Sequence, residues 1–153
     1  MKSNFRFSLA VIIMACLFPA LSFGQTDGPK INHNAICTHS LKKATAFYTD
    51  VMELKVIPNP FHDTVHTWLR IGQGVALHII EANCPPEAHD INTHLCFSVK
   101  SLPDFMKHLD KLNVKYGDWN GNLKKTQHRA DGVTQIYFQD TDGYWIEVND
   151  DNK

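Results

Sequence analysis

The amino-acid sequence predicts an α+β protein built from two βαβββ modules, whose curled mixed sheets enclose a cup. The first observation is an internal repeat: a strand that opens on a histidine and the helix that follows it occur twice at matching spacing, starting at His33 and at His94. The second is that each copy closes on an apolar strand interrupted by one ionisable residue, His78 and then Glu147. The two copies span residues 31–82 and 91–149.

The first copy reads as strand, helix and three strands. Ser40 is a favourable N-cap, and apolar residues recur behind it at helical spacing. Gly72-Gln73-Gly74 separates the last two strands and predicts a hairpin. The predicted strands of this copy cover residues 31–38, 54–57, 64–71 and 75–81.

The second copy has the same order and a longer polar loop, at 119–132. Ser101-Leu102-Pro103-Asp104 has the capping-box pattern and predicts the start of the second helix. The predicted strands of this copy cover residues 91–99, 114–116, 133–139 and 144–149.

Strand alternation indicates which side chains share a face. The apolar residues of each strand face the helices, so the ionisable residues lie on the opposite face, which we call the cup face. One histidine and one further ligand-type residue per copy can converge there on a single metal. Beside His78, alternation also places His66, Trp68 and Arg70 on this face, and we expect them to line a substrate pocket.

Residues 1–24 have the order of a secretory signal peptide: Lys2 and Arg6, an apolar run, then Ser22-Phe23-Gly24. We therefore expect an exported protein, periplasmic or secreted, that starts near Gln25 and has no stable membrane span after processing. The alternatives are a lipoprotein processed at Cys16 and an uncleaved anchor.

Removal of residues 1–24 takes away Lys2 and Arg6 and no acidic residue, which changes the net charge from −1 to −3. A weakly acidic body without a basic stripe argues against nucleic-acid binding. Three cysteines then remain, Cys37, Cys84 and Cys96. An odd number implies no disulfide framework, although two of them can pair in an oxidising compartment.

The repeat, the opening His33 and the ending Gln135-Ile136-Tyr137-Phe138-Gln139-Asp140-Thr141-Asp142-Gly143-Tyr144-Trp145-Ile146-Glu147-Val148 resemble the vicinal-oxygen-chelate superfamily. This superfamily has the glyoxalase-like fold and includes glyoxalase I, methylmalonyl-CoA epimerase, fosfomycin-resistance proteins and extradiol dioxygenases. The resemblance covers residues 31–149, and Thr141 departs from the usual Asp-Pro-Asp-Gly ending.

The resemblance implies four metal ligands: His33, His78, His94 and Glu147. Glutamate or glutamine occupies the position of His78 in glyoxalases and epimerases. Three imidazoles and a carboxylate suit one divalent Zn, Ni, Fe or Mn ion better than Ca. Some members build the site within one chain and others across a homodimer.

The resemblance further implies a glyoxalase-like lyase or isomerase whose small substrate chelates the metal through vicinal oxygens, with Glu147 as a catalytic base. One alternative is a non-haem iron dioxygenase of the extradiol type, in which His33, His94 and Glu147 form a two-His-one-carboxylate set and His66 or His128 supplies a base. The other is a non-catalytic small-molecule-binding or resistance protein.

Overall fold

The structure, a computed structural model, describes residues 28–85 and 88–151. The predicted signal peptide therefore lies outside the described residues. The chain divides into Met1–Lys30 and a body, Ile31–Lys153, which contains both modules. Among the described residues no helix is long and apolar enough to cross a membrane.

The first module forms a four-stranded mixed sheet in the order β1-β4-β3-β2. Its elements are β1 (His33–Thr38), α1 (Leu41–Asp50), β2 (Lys55–Ile57), β3 (His66–Gly72) and β4 (Val75–Glu81). Strand β1 runs parallel to β4, and the other pairs are antiparallel. Ser40 is the N-cap residue of α1, as predicted, although its side chain makes no capping hydrogen bond.

The second module repeats this arrangement, with the order β5-β8-β7-β6. Its elements are β5 (His94–Ser98), α2 (Leu102–Lys111), β6 (Gln127–His128), β7 (Thr134–Gln139) and β8 (Trp145–Asn149). The side chain of Ser101 accepts a hydrogen bond from the backbone N–H of Asp104, which caps α2. The predicted fold class, two βαβββ modules with mixed sheets, is confirmed.

The prediction of a strand at residues 114–116 is wrong. Only Gly117 pairs there, through isolated bridges to Tyr137 and to Leu123. A Cβ at Gly117 would lie 2.6 Å from the carbonyl oxygen of Asn122, so this close approach requires glycine. Strand β6 lies inside the predicted polar loop, and its two polar residues carry no apolar periodicity that would have indicated a strand.

The helix-facing sides of both sheets share one hydrophobic core cluster. Its fully buried aliphatic side chains come from both sheets and from α2: Leu69, Leu77, Ile79, Leu102, Leu109, Ile136, Ile146 and Val148. Burial of each such side chain stabilises the fold by roughly 1.5–3 kcal/mol. Since this core occupies the helix side, His78 and Glu147 lie on the opposite face of their sheets, the cup face.

The turn between β7 and β8 joins the modules. The carboxylate of Asp142 accepts hydrogen bonds from the hydroxyl of Thr38, at 2.5 Å, and from the backbone N–H of His39, at 2.9 Å. The hydroxyl of Tyr48, on α1, donates to Asp140 at 2.8 Å. These contacts fix the first module against the second at the end of β1.

A disulfide joins Cys37, on β1, to Cys84, in the connection between the modules, with Cα atoms 5.9 Å apart. Cys96 is free. The sequence alone did not select among the three possible cysteine pairings, because the connection has no periodic pattern that would predict which strand Cys84 approaches.

Candidate metal centre

The strand registers fix which side chains share the cup face, because directly paired residues project to the same side of a sheet. In the first module His78 pairs with Trp68 on one side and with Ala35 on the other. In the second module Glu147 pairs with Tyr137 and with Cys96. Trp68 therefore lies across from His78, on the face that strand alternation predicted.

His78 is the buried member of the first module's pair. It is 6% exposed, and its Nε2 atom makes no hydrogen bond within the described residues. Desolvation lowers the pKa of His78 below its ordinary value, and the neighbouring His66 and His33 lower it further. A neutral, buried imidazole with an unused ring nitrogen fits a metal ligand.

His33 lies beside His78, with ring centroids 5.9 Å apart. Its Nδ1 atom is 2.7 Å from the side-chain oxygen of Asn32. If Nδ1 carries the ring proton and donates it to that oxygen, Nε2 is left as the acceptor. Histidine ligands of metals are commonly oriented through their second nitrogen in this way.

His94 and Glu147 form the second module's pair. Nδ1 of His94 is 2.6 Å from the carbonyl oxygen of Ile91, so Nδ1 must carry a proton to donate there. Nε2 of His94 is 3.3 Å from Oε2 of Glu147. When the ring is neutral, this nitrogen turns a lone pair towards the carboxylate, an arrangement that a shared cation stabilises. When the ring is protonated, the same nitrogen donates to the carboxylate instead. Two adjacent ligands at about 2.1 Å from one ion are about 3.0 Å apart in octahedral and about 3.4 Å apart in tetrahedral geometry.

Glu147 is 6% exposed, and its carboxylate accepts three hydrogen bonds. Tyr137 donates to Oε2 at 2.7 Å, and Cys96 and Asn149 donate to Oε1 at 3.1 and 3.0 Å. Desolvation alone would raise the pKa of Glu147, but these hydrogen bonds, with His94, outweigh it and bring the pKa below the ordinary value. Glu147 is therefore held ionised, as a metal ligand requires.

The four ligand candidates are thus divided into two pairs, one on each module. Within residues 28–85 and 88–151, no three histidine, cysteine or acidic side chains converge as a metal-binding group. A single chain brings together His33 with His78, and His94 with Glu147, but not the complete set. Each pair consists of groups that divalent transition-metal ions bind, imidazole and carboxylate, so each pair can supply part of a metal site.

An aromatic wall stands beside His78. The ring of Trp68 stacks on His78 with centroids 4.0 Å apart, and that of His66 lies 5.0 Å away. Asp63 holds His66 through a 2.7 Å contact between Oδ2 and Nδ1. Phe61, 56% exposed, covers this group at 4.7 Å from His66. No periodic pattern marks Phe61, which lies in the loop before β3.

The remaining pocket candidates are more peripheral. Arg70 is exposed and pairs with Lys55 on β2, which places two cations at the rim of the first module's cup. His128 pairs with Thr134, whereas the adjacent Gln127 pairs with Gln135 in the row of Asn149. Alternation therefore turns His128 away from the cup face, and it does not join His66 as a candidate base.

Sequence reasoning did not single out Tyr137 and Asn149 as site residues. The available signal was alternation in β7 and β8, which places Tyr137 across from Glu147, and Asn149 two residues beyond it on the same face.

Solved structures of known proteins share this fold. A putative glyoxalase family protein from Bacillus anthracis has a TM-score of 0.65 and 22% identity, over 82% of this chain and 98% of that one. The fosfomycin resistance protein FosX from Listeria monocytogenes has a TM-score of 0.63 and 20% identity, over 79% and 92%. A lactoylglutathione lyase from Agrobacterium tumefaciens has a TM-score of 0.58 and 19% identity, over 80% and 93%.

A curated relative, Glyoxylase I 4 from Arabidopsis thaliana, is 23% identical over 128 residues, which cover 77% of this chain and 68% of the relative. The family model of the Glyoxalase/Bleomycin resistance protein/Dioxygenase superfamily matches residues 30–148, nearly all of the described body. The chain belongs to this superfamily.

Proposed function

We propose that the protein is an exported, metal-dependent lyase or isomerase of the glyoxalase type, whose small substrate offers two vicinal oxygens to one divalent ion. The observation that carries the proposal is the contact between Nε2 of His94 and Oε2 of Glu147, 3.3 Å apart, because Nδ1 of His94 is committed to Ile91. With the His94 ring neutral, both of these atoms are acceptors, and two acceptors at this distance favour a cation between them.

We further propose that two copies of the chain complete the site. His33 and His78 of one copy would face His94 and Glu147 of the other, which gives four protein ligands and two equivalent sites in a symmetric dimer. The division of the candidates into one pair per module, with no complete group in the described part of one chain, supports this arrangement.

When bound, the divalent ion would act as a Lewis acid that stabilises negative charge developing on a substrate oxygen. The side chains around it would do the rest. Trp68 and Phe61 would exclude water from one side of the substrate. Arg70 would bind an anionic group, so Arg70→Ala should mainly raise KM. Tyr137 would keep Glu147 oriented. The base role of Glu147 stays a prediction.

A pair of complementary variants tests the shared site. His33→Ala/His78→Ala removes the first pair, and His94→Ala/Glu147→Gln removes the second, so neither variant alone should bind zinc stoichiometrically. Random re-pairing of equal amounts makes half of the dimers mixed, each with one intact site, and should restore about one quarter of the wild-type metal content. Elemental analysis after unfolding and joint refolding measures it. Metal binding by each variant alone, or no recovery in the mixture, would contradict the shared site.

Metal analysis of the wild-type protein purified without added metal separates the alternatives. Nickel or zinc supports the lyase or isomerase. Iron with dioxygen consumption supports an extradiol-type dioxygenase, for which His33, His94 and Glu147 supply the ligand set and the Asp63-bound His66 lies near the site. Absence of bound metal, with small molecules still bound, supports a binding protein.

Export is part of the same proposal. The Cys37–Cys84 disulfide supports it, because structural disulfides persist in oxidising compartments and are rare in the cytosol.

A further inference from the structure

We propose that Tyr137, Cys96 and Asn149 form a clamp that holds the carboxylate of Glu147 in place and makes it a single-oxygen ligand of the metal. This inference rests on the proposed metal site and deepens it. It assigns positioning roles to three residues that touch Glu147.

The clamp uses almost all of the hydrogen-bonding capacity of the carboxylate. Oε1 accepts from the thiol of Cys96 at 3.1 Å and from the side-chain amide of Asn149 at 3.0 Å, which occupies both of its lone pairs. Oε2 accepts from the hydroxyl of Tyr137 at 2.7 Å. One lone pair remains, on the oxygen that faces Nε2 of His94. The geometry therefore leaves a single direction open for a metal.

The clamp is itself fixed in place. Cys96, Glu147 and Tyr137 stand in one row across three adjacent strands, β5, β8 and β7. The hydroxyl of Tyr137 accepts a hydrogen bond from the side-chain amide of Gln135. Tyr137, Asn149 and Glu147 are all buried. Rotation of Glu147 away from the ion would break three hydrogen bonds and leave buried polar groups without partners, which is unfavourable.

The internal repeat shows that the clamp is specific to the carboxylate. The positions equivalent to Cys96, Tyr137 and Asn149 in the first module are Ala35, Trp68 and Ile80. The side chains of Ala35 and Ile80 have no donor, and Trp68 stacks on the ring of His78 instead of donating to it. An imidazole ligand has one lone pair to offer, whereas a carboxylate has several and needs donors to select one.

Zinc titration of the purified full protein tests the clamp by calorimetry. Tyr137→Phe removes one donor with little change of shape and should weaken zinc binding by about 10- to 100-fold, the range found when partners of metal ligands are removed. Cys96→Ala should also weaken it, and Cys96→Ser, which keeps a donor, should recover most of the loss. Tyr116→Phe is the matched control, since Tyr116 is a buried tyrosine of the same module outside the clamp.

Cobalt(II) in place of zinc supplies a second measurement, because its visible absorption reports the ligand geometry. Tyr137→Phe should change this spectrum and Tyr116→Phe should not. Wild-type zinc affinity in both Tyr137→Phe and Cys96→Ala would overturn the clamp alone, as would equal losses in Tyr137→Phe and Tyr116→Phe. Failure of the unaltered protein to bind any divalent ion would overturn the metal site and the clamp together.

Discussion

Trp68 lies flat on the imidazole of His78, with ring centroids 4.0 Å apart and ring planes inclined by 17°. The Nε2 atom of His78 makes no hydrogen bond within the described residues, so ring packing does much to fix its orientation. Glu147, at the equivalent position of the second module, is fixed instead by hydrogen bonds from Tyr137 and its neighbours. The two modules thus orient an imidazole and a carboxylate by different means on the same scaffold.

Loss of the stacked ring should loosen His78. Trp68→Leu should weaken zinc binding by about fivefold, because a stacked aromatic pair contributes about 1 kcal/mol beyond the area it buries. Trp68→Phe keeps a ring and should retain most of the affinity. Calorimetric titration of both variants measures the effect. Equal affinities for the leucine variant and the wild-type protein would show that the backbone alone orients His78.

The sequence was sufficient for the fold because its signals were repeated. The spacing that relates His33 to His94 also relates β1 to β5 and the start of α1 to that of α2. Alternation then assigned the faces of β3, β4 and β8, because one face of each strand packs against the shared core. The strand predicted at residues 114–116 does not form, because the backbone approaches Asn122 closely at Gly117. This contact leaves no periodic pattern in the sequence.

The site was less predictable than the fold. Strand alternation indicated that His78 and Glu147 share a face with their partners, but not that the two pairs stay apart within one chain. That separation depends on how the modules pack, through contacts such as Tyr48 with Asp140 that link residues 92 positions apart. The place of Phe61 in the site could not be predicted from the sequence either, since a hydrogen-bonded loop rather than a strand positions it.

The Cys37–Cys84 disulfide should contribute substantially to stability. It links residues separated by 47 positions, and a loop of this size corresponds to about 4 kcal/mol in the chain-entropy treatment. Cys37→Ser/Cys84→Ser should therefore lower the free energy of unfolding by about 3–4 kcal/mol in urea titrations. Cys96→Ser is the control for loss of a thiol and should leave that value nearly unchanged. A reductant should destabilise the wild-type protein but not the double variant.

Asp142 should make the contact between the modules sensitive to acid. Desolvation alone would raise the pKa of Asp142, but hydrogen bonds from His39 and Thr38 bring it below its ordinary value. A carboxyl group whose pKa falls on folding stabilises the folded protein above its unfolded pKa and loses that contribution as the pH drops through the folded one.

Asp142→Asn should consequently lower the free energy of unfolding by about 2 kcal/mol at pH 7, the scale of hydrogen bonds to a charged group. The difference from the wild-type protein should shrink as the pH falls below about 4. The buried Asp140, whose pKa is raised mainly by desolvation, acts in the opposite sense but is present in both proteins. Urea unfolding from pH 7 to pH 3 measures the difference. A constant difference across this range would exclude ionised Asp142 as its source.

Mass spectrometry can test whether the predicted signal peptide is cleaved. If residues 1–24 are a signal peptide, protein recovered from the native cell envelope should start at or near Gln25, because the cleavage pattern Ser22-Phe23-Gly24 precedes it. Mass spectrometry of the N-terminal peptide decides this. A lipid on Cys16 would favour the lipoprotein alternative, and a chain that starts at Met1 in the soluble cytoplasm would refute export.

Glu147→Gln separates a fixed ligand from a mobile base. The glutamine amide has nearly the same shape, but its NH₂ group cannot accept hydrogen bonds, so either the clamp or the metal loses an acceptor. If Glu147 is a permanent ligand, the variant should bind zinc at least about tenfold more weakly than the wild-type protein, with unchanged circular dichroism. If Glu147 instead acts mainly as the base, zinc affinity should be retained while turnover of an identified substrate falls by about 10²–10⁴-fold. The three hydrogen bonds on its carboxylate favour the first outcome. Wild-type zinc affinity together with wild-type turnover would exclude both roles.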